Sequence, residues 1–335
     1  MRIYPLLRPL LFGLPPEQAH ALALTALQRA HALGLVRAAR ADAGCAVNLM
    51  GLRFANRVGL AAGFDKNGRY VDALGALGFG FIEIGTVTPR AQPGQPRPRL
   101  IRVPEARALI NRMGFPNEGA AAVVARLSRR RFAGVCGVNI GKNATTPIDT
   151  AVDDYLECFR SVAPHADYVT INVSSPNTEG LRRLQEADQL QPIVDALVGE
   201  REHLHVTTGR RVPLLVKVSP DLAPADLASS ARLACAAGID GIIATNTTLS
   251  RSGVAPRWRT QAGGLSGSPL RPLALQAVQL LRAALGASVP IVAAGGIDSA
   301  RHARDALAAG ADLVQVYTGL IYEGPGLVKE IAESG

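Results

Sequence analysis

Lysine is almost missing from this chain. Of its 36 Lys and Arg residues only four are lysine, at Lys66, Lys142, Lys217 and Lys329. A general surface cation is therefore written as arginine here. Lysine is left for places that need a compact charge on a flexible stem, which a planar guanidinium cannot replace. Asparagine is scarce too, with ten in 335 residues. Aromatics make up 4% against 48% hydrophobic residues, so Val, Ile, Leu and Ala must fill the core. The four cysteines, Cys45, Cys136, Cys158 and Cys235, show neither a CxxC pair nor metal-ligand spacing. They read as reduced thiols of a cytosolic protein, with Cys136 a core residue inside an apolar run. No segment approaches the roughly 18 uninterrupted apolar residues of a membrane span, and the N-terminus lacks the pattern of a targeting peptide. None of the six histidines, His20, His31, His165, His203, His205 and His302, lies within one of the strand-end motifs described below, which argues against histidine acid–base chemistry and against a His-rich metal site.

The formal charge is +9, yet apart from Arg129-Arg130-Arg131 the arginines are scattered rather than gathered into a stripe. That distribution disfavours nucleic acid as a partner. It leaves an anionic small molecule, an anionic membrane surface, or a plain solvated exterior.

Residues 1–45 differ from the rest. Leu6, Leu7, Leu10 and Leu11 precede Pro15-Pro16, and Ala19, Leu22, Ala23, Ala26, Leu27, Ala30 and Leu33 then recur at helical spacing. Two readings stand side by side: a helix packed on the main domain, or a helical cap whose apolar face meets a membrane or a lipophilic ligand. From residue 57 onward short apolar runs alternate with helix-like stretches. The runs are 58–62, 81–85, 135–140, 167–173, 213–218, 241–245, 290–294 and 312–317, and helices are expected over 119–131, 150–162, 222–237, 269–285 and 299–309. Repeated βα units predict a parallel sheet, and eight of them predict a TIM (β/α)8 barrel over residues 46–335, class α/β, with its chemistry at the C-terminal strand ends. A doubly wound sheet is the alternative, but no GxGxxG opens the first unit. The stretch "TPRAQPGQPRPR" reads as an excursion over the barrel mouth that continues to Asn111.

The rare residues fall at those strand ends. Lys66 follows the first run; Asn139, Lys142 and Asn143 end the third; Asn172, Ser175 and Asn177 end the fourth; Lys217 sits in the fifth; Thr245, Asn246 and Thr247 end the sixth. A turn or helix cap would account for one such residue but not for the set, since caps do not explain lysines. "GGLSGSP", "AAGGI" and "VYTG" add glycine turns around the last three runs, where backbone N–H groups can approach an anion such as a phosphate. With histidine absent, this inventory suits an anionic, amide-rich planar ligand and developing negative charge. A flavin stacked on a heterocycle, with the cofactor supplying the electron chemistry, would meet that description.

Taken in order, "AAGFDKNG", "EIGTVTPRAQPGQPRPRL", "INRMGFPNEG", "NIGKN", "INVSSPNTEGLR", "ATNTT", "GGLSGSPL" and "GGIDSARHARDALAAGADLVQVYTG" resemble the dihydroorotate dehydrogenases over nearly the whole chain. The resemblance implies an FMN-containing TIM barrel that oxidises dihydroorotate to orotate in pyrimidine synthesis. The family's soluble class uses cysteine as base and fumarate or NAD as acceptor; its membrane-associated class uses serine, carries an N-terminal helical extension and reduces quinone. This chain has Ser175 at that position and has the extension, so it resembles the quinone-linked class. The resemblance makes Ser175 the general base. It places Lys66, Asn111, Arg112, Met113, Gly114, Phe115, Asn172, Asn177, Asn246 and Thr247 around the substrate. It places Ala62, Gly63, Lys66, Thr86, Asn139, Asn172, Lys217, Thr245, Gly267, Gly296, Tyr317 and Thr318 around FMN. Thr178 or a water would relay the proton, and Arg102, His20 and Tyr317 would line a quinone tunnel under the cap. The neighbouring Ser174 could be the base on residue type alone; only the family pattern selects Ser175.

The implied setting is a peripheral protein on the cytoplasmic face of a bacterial inner membrane, held through its N-terminal helices, with no obligate protein partner. A soluble-class relative, or another FMN barrel acting on a pyrimidine-like ring, is the alternative enzyme. A phosphate-binding isomerase or aldolase barrel, which would be colourless, is the non-redox alternative.

Overall fold

In each of the buried strands the side chains alternate between two apolar environments, and that alternation builds the architecture. The structure is a computed structural model and describes residues 4–36 and 45–334. Eight parallel strands close into a barrel: β3 (Val58–Leu60), β4 (Phe81–Val87), β7 (Val135–Ile140), β8 (Tyr168–Asn172), β9 (Leu214–Val218), β10 (Gly241–Ala244), β12 (Ile291–Ala294) and β13 (Leu313–Val316). All eight expected runs are barrel strands, and the register keeps them in sequence order around the ring.

Inward positions stack in layers. Phe81, Val135, Tyr168, Leu215, Ile243, Val292 and Leu313 form the lowest and pack on Phe54. Phe54 belongs to a hairpin of β1 (Val47–Leu49) and β2 (Leu52–Phe54) that plugs the barrel floor. The large rings need space across the barrel, and glycine provides it. A Cβ at Gly59 would fall 2.3 Å from the Phe81 ring, and one at Gly137 would fall 2.1 Å from the Tyr168 ring.

The expected helices are present as α4 (Ala120–Leu127), α5 (Ala151–Val162), α7 (Pro224–Ala236), α8 (Arg271–Leu285) and α9 (Ala300–Ala308). The short α3 (Val71–Gly75) and the long α6 (Ala187–Thr208) fill βα units that the apolar spacing left unassigned. The proline-rich excursion is not a simple loop. It leads into β5 (Leu100–Val103) and β6 (Ala108–Asn111), and β11 (Gly264–Gly267) pairs antiparallel with β6, opposing Gly264 to Asn111. This small sheet has its own apolar cluster of Val103, Ala108, Ile110, Val254 and Leu265 beside the barrel mouth.

The cap contains two helices, α1 (Tyr4–Phe12) and α2 (Pro16–Ala32); residues 1–3 and 37–44 of the expected cap lie outside the described residues. Leu24 is buried against the barrel, while α1 has no buried residue. Polar contacts do much of the fastening. The Arg102 guanidinium donates to the carbonyls of Leu11 at 3.2 Å, Phe12 at 3.1 Å and Leu14 at 2.8 Å. The last carbonyls of a helix lack intrahelical partners and carry partial negative charge, so this cation caps the end of α1.

Candidate active site

Successive inward layers change from apolar to polar toward the C-terminal ends of the strands. Above the apolar floor sits Glu83, fully buried in mid-strand β4. Its Oε1 accepts from Asn139 Nδ2 at 2.9 Å; its Oε2 accepts from Gln315 Nε2 at 2.9 Å, Tyr168 Oη at 3.0 Å and Thr170 Oγ1 at 3.3 Å. A buried carboxyl group without these donors would carry a large desolvation cost. Lys217, one layer from it on β9, makes no hydrogen bond among the described residues. Burial pulls its ammonium below the ordinary lysine range, and the Glu83 charge partly restores it. Two opposite charges thus face each other inside the barrel.

Glu83 also starts a chain of contacts that reaches the mouth. Asn139, held by Glu83, accepts from Thr86 Oγ1 at 2.6 Å and from Asn172 Nδ2 at 3.1 Å, and Asn172 Nδ2 also donates to Thr86 at 2.9 Å. Asn246 Nδ2 reaches Asn172 Oδ1 at 3.3 Å and Ser174 Oγ at 3.1 Å. Asn177 Nδ2 donates to Asn111 Oδ1 at 3.1 Å, tying the loop after β8 to the small sheet. Ser175 is almost wholly buried, and its Oγ accepts only the Asn177 N–H, at 3.3 Å. Thr178 Oγ1 is buried with no hydrogen-bond partner among the described residues.

One cavity collects Ala62, Gly63, Lys66, Thr86, Asn111, Met113, Gly114, Phe115, Asn172, Ser175, Asn177, Lys217, Thr245, Asn246, Thr247, Gly267, Gly296, Tyr317 and Thr318. Two expected residues stand apart. Arg112 turns outward, its guanidinium on the Pro98 carbonyl at 2.9 Å, and Asn139 lies behind the wall, orienting Thr86 and Asn172. Lys142 and Asn143, also counted with the strand-end cluster, are scaffolding: Lys142 Nζ holds the Thr146 carbonyl at 2.8 Å, and Asn143 Nδ2 holds Thr88, Arg90 and Gln92. Burial pushes the Cys136 thiol up to about 12, which leaves it an inert core residue.

Sequence reasoning missed Glu83, Gln315 and Ser266. The first two are polar side chains in the middle of fully buried apolar strands, and that contradiction was a usable signal. Ser266 lies on the unexpected β11 and meets Thr318 Oγ1 at 2.9 Å.

The chemistry of the wall suits a planar ligand that carries an anionic group. Its glycines leave a floor that no Cβ could share: one at Gly319 would lie 2.2 Å from the Ile297 carbonyl, one at Gly267 2.3 Å from that of Arg107, and one at Gly296 2.5 Å from Arg271 Cβ. Such a floor admits an anionic group against the backbone. The unpartnered Lys217 ammonium and the amides of the asparagines suit a planar, amide-rich ring system.

A second cavity, about 810 Å³ and mainly apolar, lies between the cap and the barrel. Lys66, Met113 and Tyr317 line both cavities, so the two share a wall. His20, Phe64 and Tyr317 form a line of edge-on rings along it, with centroids 5.0 and 5.3 Å apart. Arg102 and His20 line the second cavity as expected, although the guanidinium is engaged with the α1 carbonyls. Burial pulls His20 down to about 4, with the Lys66 charge adding to the effect, so its ring is neutral at physiological pH.

A closed (β/α)8 barrel with buried lysines, amides and a glycine floor at its C-terminal mouth defines an enzyme acting on an anionic ligand. The chain belongs to the dihydroorotate dehydrogenase family, whose model matches residues 45–334. It is 54% identical over 334 residues to the dihydroorotate dehydrogenase (quinone) of Chromobacterium violaceum, covering 99% of this chain and 97% of the relative. It is 52% identical over 334 residues to the enzyme of that name from Azotobacter vinelandii, covering 99% and 96%. Among solved structures, the Eimeria tenella dihydroorotate dehydrogenase in complex with ferulenol superposes with a TM-score of 0.87 at 38% identity, over 97% of this chain and 93% of that one.

Proposed function

We propose that this chain oxidises dihydroorotate to orotate at the barrel mouth, with FMN as the bound acceptor and a quinone as the final one. The observation that carries the reading is Ser175: a buried hydroxyl that opens on the lysine–asparagine cavity and accepts only the Asn177 N–H. A bound flavin would supply the hydride-accepting chemistry and pass electrons on to the quinone. The protein's part is to hold the substrate and move a proton. Ser175 takes the proton from the ring carbon next to the one that loses hydride. A serine is a weak base, so tight positioning and an onward acceptor are needed, and the partnerless Thr178 hydroxyl offers one within its own loop. Asn111, Asn172, Asn177 and Asn246 bind the amide edges and carboxylate. Lys66 supplies positive charge beside the reacting ring, and Lys217, with Glu83 behind it, balances negative charge on the flavin ring.

The second cavity would admit the quinone under a cap formed by residues 1–45, with residues 46–335 as the flavin barrel. Nine large apolar side chains are exposed among the described residues, and seven of them, Leu6, Leu7, Leu10, Leu14, Leu22, Leu33 and Leu35, belong to the cap region. No helix among the described residues is long and apolar enough to cross a membrane. The exposed leucines support a peripheral attachment with the apolar cavity opening toward the bilayer, and our reading places it on the cytoplasmic face.

The test is anaerobic. Dihydroorotate added to the purified yellow protein should bleach the flavin band rapidly, and a short-chain quinone, but neither fumarate nor NAD, should restore it. Absence of bleaching would overturn the substrate assignment.

A further inference from the structure

The cap carries one carboxylate into the second cavity, and its contacts lead toward the substrate rather than toward the lipid. Glu17, in the first turn of α2, accepts from Arg99 Nε at 3.1 Å and Nη2 at 2.9 Å, and its other oxygen lies 3.3 Å from Arg97 Nε. Arg97 is largely exposed, but the Arg99 side chain is only 8% exposed. The remaining nitrogen of Arg99, Nη1, donates to the carbonyls of Pro93 at 2.6 Å and Gln95 at 3.1 Å. The 93–95 turn is in turn bonded to the substrate side: Gln95 N–H meets the Met113 carbonyl at 2.9 Å. Gly94, at φ +73°, packs so closely that a Cβ there would lie 2.4 Å from that same carbonyl. Met113 lines the cavity that holds Ser175. An unbroken set of contacts therefore runs from the cap to the substrate wall.

The same ion pair lines the second cavity together with Lys66. That lysine is partly buried, its ammonium donates to the Gly63 carbonyl at 2.6 Å, and it lines both cavities. The charged and titratable groups around it are Asp65 beside it, Glu17 and His20 from α2, Arg97 and Arg99 from the insertion, and Tyr317 at the end of β13. The two carboxylates favour its ammonium form and Arg99 opposes it.

We propose that Glu17 is a positioning residue for substrate oxidation: through Arg99 it fixes the 93–95 turn against Met113, and it supplies the counter-charge that keeps Lys66 protonated. The cap thereby belongs to the dihydroorotate side of the enzyme as well as to the quinone side. This rests on the function proposed above. Burial pulls Lys66 down to about 8, with Arg99 pulling the same way and Glu17 opposing, so loss of the Glu17 charge moves it further down.

Having four lysines makes the test direct. In holoenzyme labelled with 13C at lysine Cε, the four signals can be titrated and Lys66 assigned by its absence in Lys66→Arg. In Glu17→Gln the Lys66 midpoint should fall by about one pH unit, and the alkaline limb of anaerobic flavin reduction by dihydroorotate should fall with it. At a pH on that limb, reduction should slow about tenfold, the change in protonated fraction that one unit implies. An unmoved Lys66 midpoint, or a defect confined to reoxidation by quinone, would overturn the proposal. If Glu17→Gln does not fold, Glu17→Asp, which withdraws the charge by one methylene, should move the midpoint the same way by less; no movement there is equally fatal. The lysine titration needs no substrate, so failure of dihydroorotate to bleach the wild-type flavin would count against the proposed function and leave the Glu17 result readable.

Discussion

Asn139 Nδ2 donates to Glu83 Oε1 at 2.9 Å, deep inside the barrel and beneath the cavity. Through that contact a buried carboxylate orients the amide that sets Thr86 and Asn172, and it faces the Lys217 ammonium from the neighbouring layer.

Glu83→Leu should therefore be severe. It leaves the donors of Asn139, Tyr168, Thr170 and Gln315 without an acceptor and strips Lys217 of its counter-ion. Breaking a buried charge pair costs on the order of 3–5 kcal/mol. Glu83→Gln keeps one acceptor but turns an N–H₂ toward existing donors, and should cost about 1–3 kcal/mol. Urea unfolding of the two variants, with flavin retention measured on the same samples, checks both the size and the order.

The two adjacent serines should separate cleanly. Ser175→Ala should keep its yellow colour but lose about 10²-fold or more in the rate of anaerobic flavin reduction, the scale of a missing general base. Ser174 is fully buried and serves as a hydrogen-bond acceptor for Asn246 at 3.1 Å. Ser174→Ala should mainly raise KM for dihydroorotate, through a loosened Asn246, with a small change in kcat. Equal losses in both variants would remove the assignment of the base.

Lys66 should cost stability in a pH-dependent way. Its folded value is about 8 against the ordinary 10.5, so below pH 8 the folded state carries the whole penalty of a partly buried cation. Between those values the unfolded chain binds more protons, so stability rises with pH and the penalty fades. Lys66→Met should stabilise flavin-free protein at pH 7 by up to ~3 kcal/mol. That gain should shrink at pH 9.5 in denaturant titrations, and an equal gain at both pH values would show that packing, not charge, is responsible.

The exposed leucines of the cap should carry membrane attachment. Leu6, Leu10 and Leu22 are 76%, 72% and 53% exposed. Burying a leucine contributes roughly 1.5–3 kcal/mol, so replacing all three with serine should lower partition onto phospholipid vesicles by 100-fold or more. Flavin reduction by dihydroorotate should stay within about twofold, since none of the three lines the substrate cavity. Unchanged vesicle binding in a flotation experiment would remove the cap from the membrane contact.

Much of this was legible before any coordinates. Strands buried on both faces read as continuous apolar runs, and for that reason all eight were visible. Lys66 and Lys217 stood out because a chain that otherwise uses arginine kept lysine there. What escaped was non-local. β5 and β6 form a short hairpin, and β11 joins it across more than 150 residues, from Asn111 to Gly264, so no local pattern announces the sheet. The side chain of Arg112 could not be told from that of Asn111 by position; the strand's own alternation turns one inward and the other toward Pro98. Lys142 and Asn143 shared the composition of the site yet spend their hydrogen bonds on loop carbonyls and side chains.

By itself, the sequence determined the barrel, the end of it that does chemistry, and the residue types gathered there, because periodicity and rare polar residues are local properties of the chain. Only the tertiary structure decided that Glu83 faces Lys217 across the barrel, that Lys66 looks into two cavities at once, and that Glu17 on a separate helix reaches Arg99. These are relations between distant parts of the chain. Each depends on charges brought together in a water-poor interior, where burial and neighbouring charge, rather than residue type, set what a side chain can do.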